Sequence, residues 1–404
     1  MLRVGFDVAQ LSDKAFTGIP LYVESVLREL LLAGQEEYVL VGSDPKTDMT
    51  ALLQRRNLPY VPEERIVPEH DTRLAVAYPS LSKSKVTDWF VRKVDGRIMM
   101  PINQNLLARK LGVLDVMHHT ALIRVPSGPI RHHIITIYDL TTQFFPEMHT
   151  AINIIEWDRV FAFGRDHADL VITDSESARQ DVIEHLGIPE DRVKAILLGV
   201  RPLPTHIPED LLSGVRQKFG LEEGRFVLAA GSLEPRKNLP RLIEAFAELV
   251  RDPLFAEVKL VLTGARLHGA KAVEEAIQTQ GIGERVVLTG YVSDEELAAL
   301  MRGCDCFIYP SLYEGFGLPV VEAMAMGAPV ATSNSSSLPE VAGNAALLFD
   351  PKSTPALTDA MCQVLSDAVF ATELRQRGLE RSSLFTWKRC ADEHRRVYHE
   401  VAGT

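Results

Sequence analysis

Apolar residues alternate through Leu2, Val4, Phe6 and Val8, which predicts a strand. The period then changes, with Val23, Val26, Leu27, Leu30 and Leu31 forming the stripe of a helix over PLYVESVLRELLLAG. Thr17, Gly18, Ile19 and Pro20 open that helix, so the first unit reads strand, glycine turn, helix. The same unit recurs. YVLVGS at 38–43, DVMHHT at 115–120, HHIITIYDL, DLVITDSES and VKAILLGV predict further strands, and Ser175 is placed to cap a helix ending at Gly187. Residues 44–72 read as loop with a helical turn near MTALLQRR. RPLPTHIPED at 201–210 holds three prolines without periodicity and reads as a linker. Beyond it come strands FVLAAGS, VKLVLTG and RVVLTGYVS, and a helix LPRLIEAFAELV that Asn238 is placed to cap. The helix DEELAALMRGC and, after Leu338, ALLFDP and a helix through Leu365 follow. Strand-helix alternation in both halves predicts an α/β protein with parallel sheets covered on both faces.

Residues 309–330, YPSLYEGFGLPVVEAMAMGAPV, compress the pattern furthest. Cys306 to Tyr309 read as a short buried strand stopped by Pro310. Gly315 and Gly317 flank Phe316, Pro319 suits a first helical turn, and Val320, Val321, Ala323 and Met324 can face a sheet. A glycine loop feeding a helix start gathers unpaired N–H groups at the positive end of a dipole, which suits a phosphate. Glu314 stands just before this loop and Glu322 about one turn inside the helix. Glu322 alone is equally explained as an acid favoured by the dipole. Glu314 is not placed to cap anything. Arg236 and Lys237 precede the helix starting near Asn238, where positive charge opposes the dipole and calls for an anionic partner.

At 404 residues, 46% hydrophobic and 24% charged, the chain is long enough for two ordinary globular domains. A formal net charge of −11 argues against nucleic acid as partner. The first residues, MLRVGFDVAQL, enter a strand without an apolar leader, no apolar run reaches membrane-spanning length, and four scattered cysteines make no disulfide framework. A cytoplasmic protein is expected. Residues 73–110 invert the charge balance, with eight Lys or Arg against Asp88 and Asp95. Val86, Trp89, Phe90, Val94 and Ile98 recur there at helical spacing, so 83–110 reads either as a peripheral contact with the inner face of a membrane or as a helix with a solvated basic face.

SLYEGFGLPVVEAMAMGAPV, continued through TSNSSSLPEVAGNAALLFDP, resembles the signature of the retaining glycosyltransferases of family four, the glycosyl transferases group 1. The resemblance implies a GT-B fold: two Rossmann-like doubly wound domains, an interdomain cleft and a C-terminal crossover helix. It implies an acceptor-side domain at 1–202, with 386–404 crossing back onto it, and a nucleotide-sugar domain at 203–385. It assigns Glu322 to the ribose hydroxyls, Glu314 to the transferred sugar, and Arg236 and Lys237, in GSLEPRKN, to the donor phosphates. Gly315, Phe316, Gly317, Leu318 and Ser232 belong to the donor loops, and Tyr291 and Val292 lie near the base. Thr17 and Gly18 match the first loop, beside the diphosphate and acceptor. DVMHHT matches the segment that brings a histidine to the cleft, His118 or its neighbour His119. Tyr138 replaces the family's histidine in a histidine-aspartate pair, while Asp139 remains on the acceptor side.

Transfer from a nucleotide sugar needs a stabilised diphosphate and a balanced charge at the sugar ring. Arg236, Lys237 and two helix N-termini would serve the first, and Glu314 the second. No Asp-x-Asp motif occurs, so neither metal nor cofactor is expected. LEPRKNLPRLIEAF and SNSSSLPEVAGNAALLFDP resemble mannosyl-transferring members of the family, which implies GDP-mannose as the leading donor with a UDP-sugar as the alternative, and a glycan or lipid-linked acceptor in bacterial polysaccharide assembly. A glycosidase would use two carboxylates but leaves the Arg-Lys pair idle. A nucleotide-sugar hydrolase or phosphorylase on the same fold, and a noncatalytic nucleotide-sugar-binding subunit, are the other readings.

Overall fold

The computed structural model describes residues 1–12, 18–43, 48–68, 112–121, 129–204, 206–222 and 224–404; Thr17 and the basic segment 83–110 lie outside them. Parallel strands β1 (Arg3–Asp7), β2 (Glu37–Ser43), β3 (Ile66–Pro68), β4 (Leu114–His119), β5 (Ile130–Thr136), β6 (Leu170–Thr173) and β7 (Val193–Ala195) form one sheet. Their order is β3-β2-β1-β4-β5-β6-β7. Strands β8 (Phe226–Ala230), β9 (Lys259–Thr263), β10 (Val286–Gly290), β11 (Cys306–Tyr309), β12 (Val330–Ser333) and β13 (Ala346–Phe349) form the other, ordered β10-β9-β8-β11-β12-β13. The edge strand β3 falls where the sequence reads as loop, because three residues closed by a proline are too few to show alternation. Strand order reverses beside β1 and again beside β8, and such switch points open a crevice at the carboxyl ends of the strands.

Val4, Phe6 and Val8 are fully buried against Val23, Val26, Leu27 and Leu30 of helix Ile19–Ala33. In the second half, Leu242, Ile243, Phe246 and Leu249 of helix Leu239–Leu249 pack onto β8 and β9 in the same way. Burying such a side chain stabilises by about 1.5–3 kcal/mol. Ser175 caps helix Glu176–Leu186 as expected, accepting from the Ala178 amide at 3.0 Å. Asn238 does not cap its helix. It adopts a left-handed conformation with φ 57°, and its carboxamide donates to the carbonyls of Pro310 at 3.2 Å and Pro351 at 2.7 Å. Its hydrogen bonds are thus spent tying the cationic turn to the strand end that carries Ser311 and Glu314.

Helix Trp387–Ala402 returns to the first sheet, lying on helix Ile19–Ala33 and β4. Its His394 meets the Tyr22 hydroxyl at 2.8 Å, and Arg395 grips the buried Glu36 carboxylate at 2.9–3.0 Å. The two chain crossings between the halves touch: the Val200 amide donates to the Phe385 carbonyl at 3.0 Å. A Cβ on Gly199 would sit 2.4 Å from the Trp387 backbone nitrogen, so only glycine fits there. Among the described residues, no helix is long and apolar enough to cross a membrane.

Candidate active site

The carboxyl ends of both sheets face a cavity of about 840 Å³, within the range of small-molecule sites. The first half contributes Gly18, Tyr22, Tyr138, Asp139 and Asp174, and the second contributes Ser232, Arg236, Lys237, Tyr291, Val292 and Glu314. Glu314 is the electrostatic centre. One carboxylate oxygen accepts from Lys237 at 2.6 Å, Ser311 at 2.6 Å and Tyr309 at 3.0 Å, and the other pairs with Arg236 at 2.6 Å. Burial works to raise its pKa, but Arg236 and Lys237 outweigh burial and hold it at about 2. Burial and the neighbouring Arg236 push Lys237 down, while Glu314 holds it in place. Both cations therefore meet on one buried carboxylate, and Arg236 reaches a second, Glu234, at 3.1 Å on the same cavity wall. The anions that the sequence demands beside Arg236 and Lys237 are, within the protein, Glu314 for both and Glu234 for Arg236.

Helices Ile19–Ala33 and Leu318–Ala325 both start at this cavity. Gly18 and Gly317 precede them, and among the described residues neither helix has a side-chain cap or an acid in its first turn. Their first N–H groups point a positive dipole end into the same space, as an anion site requires. Glu322, buried in the second of these helices, accepts from Arg201 at 3.1 and 3.4 Å, and Arg201 also reaches Asp294 at 3.0 Å. Burial raises the Glu322 pKa and Arg201 opposes the rise. The halves also meet directly. A Cβ on Gly315 would lie 2.3 Å from the Tyr138 carbonyl oxygen, and Ser175 donates to the Gly315 carbonyl at 2.6 Å. Gly315 is thus needed for contact between the halves, beyond any approach to a ligand. Glu340 reaches across to accept from the Glu176 and Ser177 amides at 3.0 and 3.2 Å, placing a negative charge at a helix N-terminus.

A family model described as glycosyl transferases group 1 matches residues 215–381. The O-antigen chain mannosyltransferase B of Escherichia coli is 31% identical over 288 residues, covering 70% of this chain and 74% of that protein. The chain belongs to the glycosyl transferases group 1. It is a hexosyltransferase of the retaining family four, with the GT-B fold. The MMP alpha-(1->4)-mannosyltransferase of Mycolicibacterium hassiacum is 28% identical over 429 aligned positions, covering 98% of each chain. The crystal structure of Anabaena HepE in complex with UDP and glucose superposes with a TM-score of 0.69 at 17% identity, over 99% of this chain and 100% of that one.

Glu314, Arg236, Lys237, Glu322, Gly315, Phe316, Gly317, Leu318, Ser232, Tyr291, Val292, Gly18 and Asp139 all line the glycosyltransferase cleft. The Asp139 carboxylate accepts from the Thr141 amide at 2.9 Å and hydroxyl at 2.5 Å. His118 and His119 do not line it. His118 is fully buried between the Tyr398 hydroxyl and the Thr136 hydroxyl, each at 2.8 Å. Burial, followed by the neighbouring His394, depresses its pKa well below the ordinary value, so it stays neutral. His119, also buried, stacks on His133 with Nε2 and Nδ1 3.1 Å apart, and burial pulls it to about 3. Both are core residues of a central strand. Arg201 and Asp174 were not anticipated. Arg201 opens the proline-rich linker and Asp174 directly precedes the capping Ser175, and neither position carries a local signal in the sequence. Burial pushes the Asp174 pKa well above the carboxylate range, and Asp139 adds to the rise.

Proposed function

We propose that the protein transfers mannose from GDP-mannose to a glycan or glycolipid acceptor, with retention, in bacterial polysaccharide assembly. One observation carries this reading: Arg236, Lys237, Glu314 and two uncapped helix N-termini converge on a single cavity between two Rossmann-like halves. The diphosphate lies against Arg236, Lys237 and the amides after Gly317 and Gly18, where preformed positive charge stabilises the departing group. Glu322 and Arg201 hold the ribose end, Tyr291 and Val292 flank the base, and Ser232 borders the phosphates. Glu314 faces the sugar, positioning the Lys237 ammonium and balancing charge at the ring. Residues 1–202 with 386–404 serve the acceptor, and 203–385 serve the donor. Protein cations fill the role that a divalent ion has in other transferases, so transfer is expected to survive EDTA.

The choice of mannose rests on the mannosyltransferases of Escherichia coli and Mycolicibacterium hassiacum among the relatives. A UDP-sugar donor is the second reading, favoured by the UDP and glucose held by the Anabaena protein of the same fold. A melting-temperature panel with GDP, UDP, ADP and CMP and their sugars decides between them, since a ligand that binds the native state stabilises by mass action. Stabilisation by GDP and GDP-mannose, lost in Arg236→Ala, is expected. Binding and turnover by Arg236→Ala at wild-type levels refutes the phosphate assignment.

A further inference from the structure

The two walls of the cleft differ in how well their polar groups are satisfied. In the second half, Glu314, Lys237, Arg236 and Glu322 are all paired within the protein. On the first half, three cleft-lining residues carry buried side-chain atoms with no partner among the described residues: Thr142 Oγ1, His149 Nε2 and Asp174 Oδ1. They come from separate elements, Thr142 from the short helix Thr141–Phe144, His149 from just before helix Ala151–Asp166, and Asp174 from the end of β6. An unpaired buried polar group costs stability, and several gathered on one wall mark a surface built for a ligand with matching groups. The Asn153 side-chain carboxamide donates through Nδ2 to His149 Nδ1 at 3.1 Å, which leaves the hydrogen on Nε2. The wall therefore offers an N–H donor, a hydroxyl that can act either way, and a carboxyl oxygen. Beside them, Trp157 also lines the cleft, edge-on to Tyr138 with ring centroids 6.3 Å apart.

We propose that Thr142, His149 and Asp174 recognise the hydroxyls of a pyranose acceptor, with Trp157 as the apolar surface beside the ring. The inference rests on the glycosyl-transfer reading and narrows its acceptor to a sugar whose own hydroxyls are read by the enzyme. Sugar hydroxyls both donate and accept, which is the mixture these three side chains need. The carboxyl of Asp174 and the ring of His149 are placed to orient the acceptor, and no bond is made or broken on either.

The test uses the full chain saturated with the nucleoside diphosphate that stabilises it, titrated calorimetrically with methyl α-mannoside, methyl α-glucoside and methyl α-galactoside. Wild type is expected to bind at least one glycoside in the millimolar range. Thr142→Val and Asp174→Asn are expected to weaken that binding tenfold or more, with nucleotide affinity changed less than twofold. Thr142→Val is expected to melt no lower than wild type, since it removes an unpaired hydroxyl. Glycoside affinity unchanged in both variants, whatever their melting temperature, overturns the proposal. So does failure of every glycoside to bind wild type. If no nucleoside diphosphate stabilises wild type, it is the glycosyl-transfer reading that fails, and the acceptor assignment with it.

Discussion

Replacing Glu314 with glutamine tests the centre of the site, because it keeps the shape and removes the charge. Glu314 is only 8% exposed and pairs with Lys237 and Arg236 at 2.6 Å each. A carboxyl held at about 2 against an ordinary 4.5 is favoured as the anion by about 3 kcal/mol. That agrees with the roughly 3–5 kcal/mol lost when one partner of a buried ion pair is removed. For a unit the size of the second half this corresponds to a fall in melting temperature of roughly 6–12 °C at pH 7. The sign with pH follows from the direction of the shift. A depressed carboxyl contributes stability above its unfolded pKa and loses it as pH falls through the folded value, so the gap between wild type and Glu314→Gln closes between 4.5 and about 2. A diphosphate brings the missing negative charge back. Calorimetry at pH 7 with and without millimolar GDP is therefore expected to show a larger ligand-induced rise in the variant than in wild type. Sugar transfer is expected to fall more than nucleotide affinity. A variant that melts within about 1 °C of wild type without nucleotide refutes the claim that Arg236 and Lys237 depend on this carboxylate.

His118→Ala is expected to lower stability by about 2–4 kcal/mol in urea melts, while kcat/KM at a permissive temperature stays within about twofold of wild type. A hundredfold loss of activity in a folded variant returns the residue to catalysis. Gly315→Ala pushes a methyl group against the Tyr138 carbonyl, 2.3 Å away, and so opposes contact between the halves. Its kcat is expected to drop at least tenfold with GDP affinity nearly unchanged; equal kcat means that this contact is not needed for turnover. Arg201→Ala strands Glu322 without its cation, which leaves the carboxyl free to take up a proton nearer neutral pH. Nucleotide binding by the variant is expected to weaken as pH is lowered from 8 to 6, more steeply than in wild type, and parallel titration profiles contradict the pairing.

The fold was legible because buried parallel strands and their glycine turns are local features: Val4, Phe6 and Val8, or Leu242, Ile243, Phe246 and Leu249, announce their faces within one element. The meeting of Arg236 and Lys237 with an anion was legible too, since the two cations break a dipole rule and Glu314 sits in a turn without a cap to make. His118 misled for a physical reason. A central parallel strand is buried on both faces, so a histidine there has no alternation to place it, and one of the two hydroxyls that satisfy it belongs to Tyr398, 280 positions away. Arg201 escaped notice in the same way, since its partners Glu322 and Asp294 come from helices far along the chain. Asn238 has the residue type and position of a cap, but carbonyls from two other loops claim its carboxamide.

The two crossings between the halves lie side by side, joined where Val200 meets Phe385 and where Gly199 leaves no room beside Trp387. Two covalent straps fastened at one spot let the lobes swing like the covers of a book, yet resist sliding or twisting. Any opening of the cleft to admit a donor is thereby channelled into a single angular motion about that spine. An opening about that spine would part Gly315 from the Tyr138 carbonyl, on the facing page, and break the bond from Ser175 to Gly315.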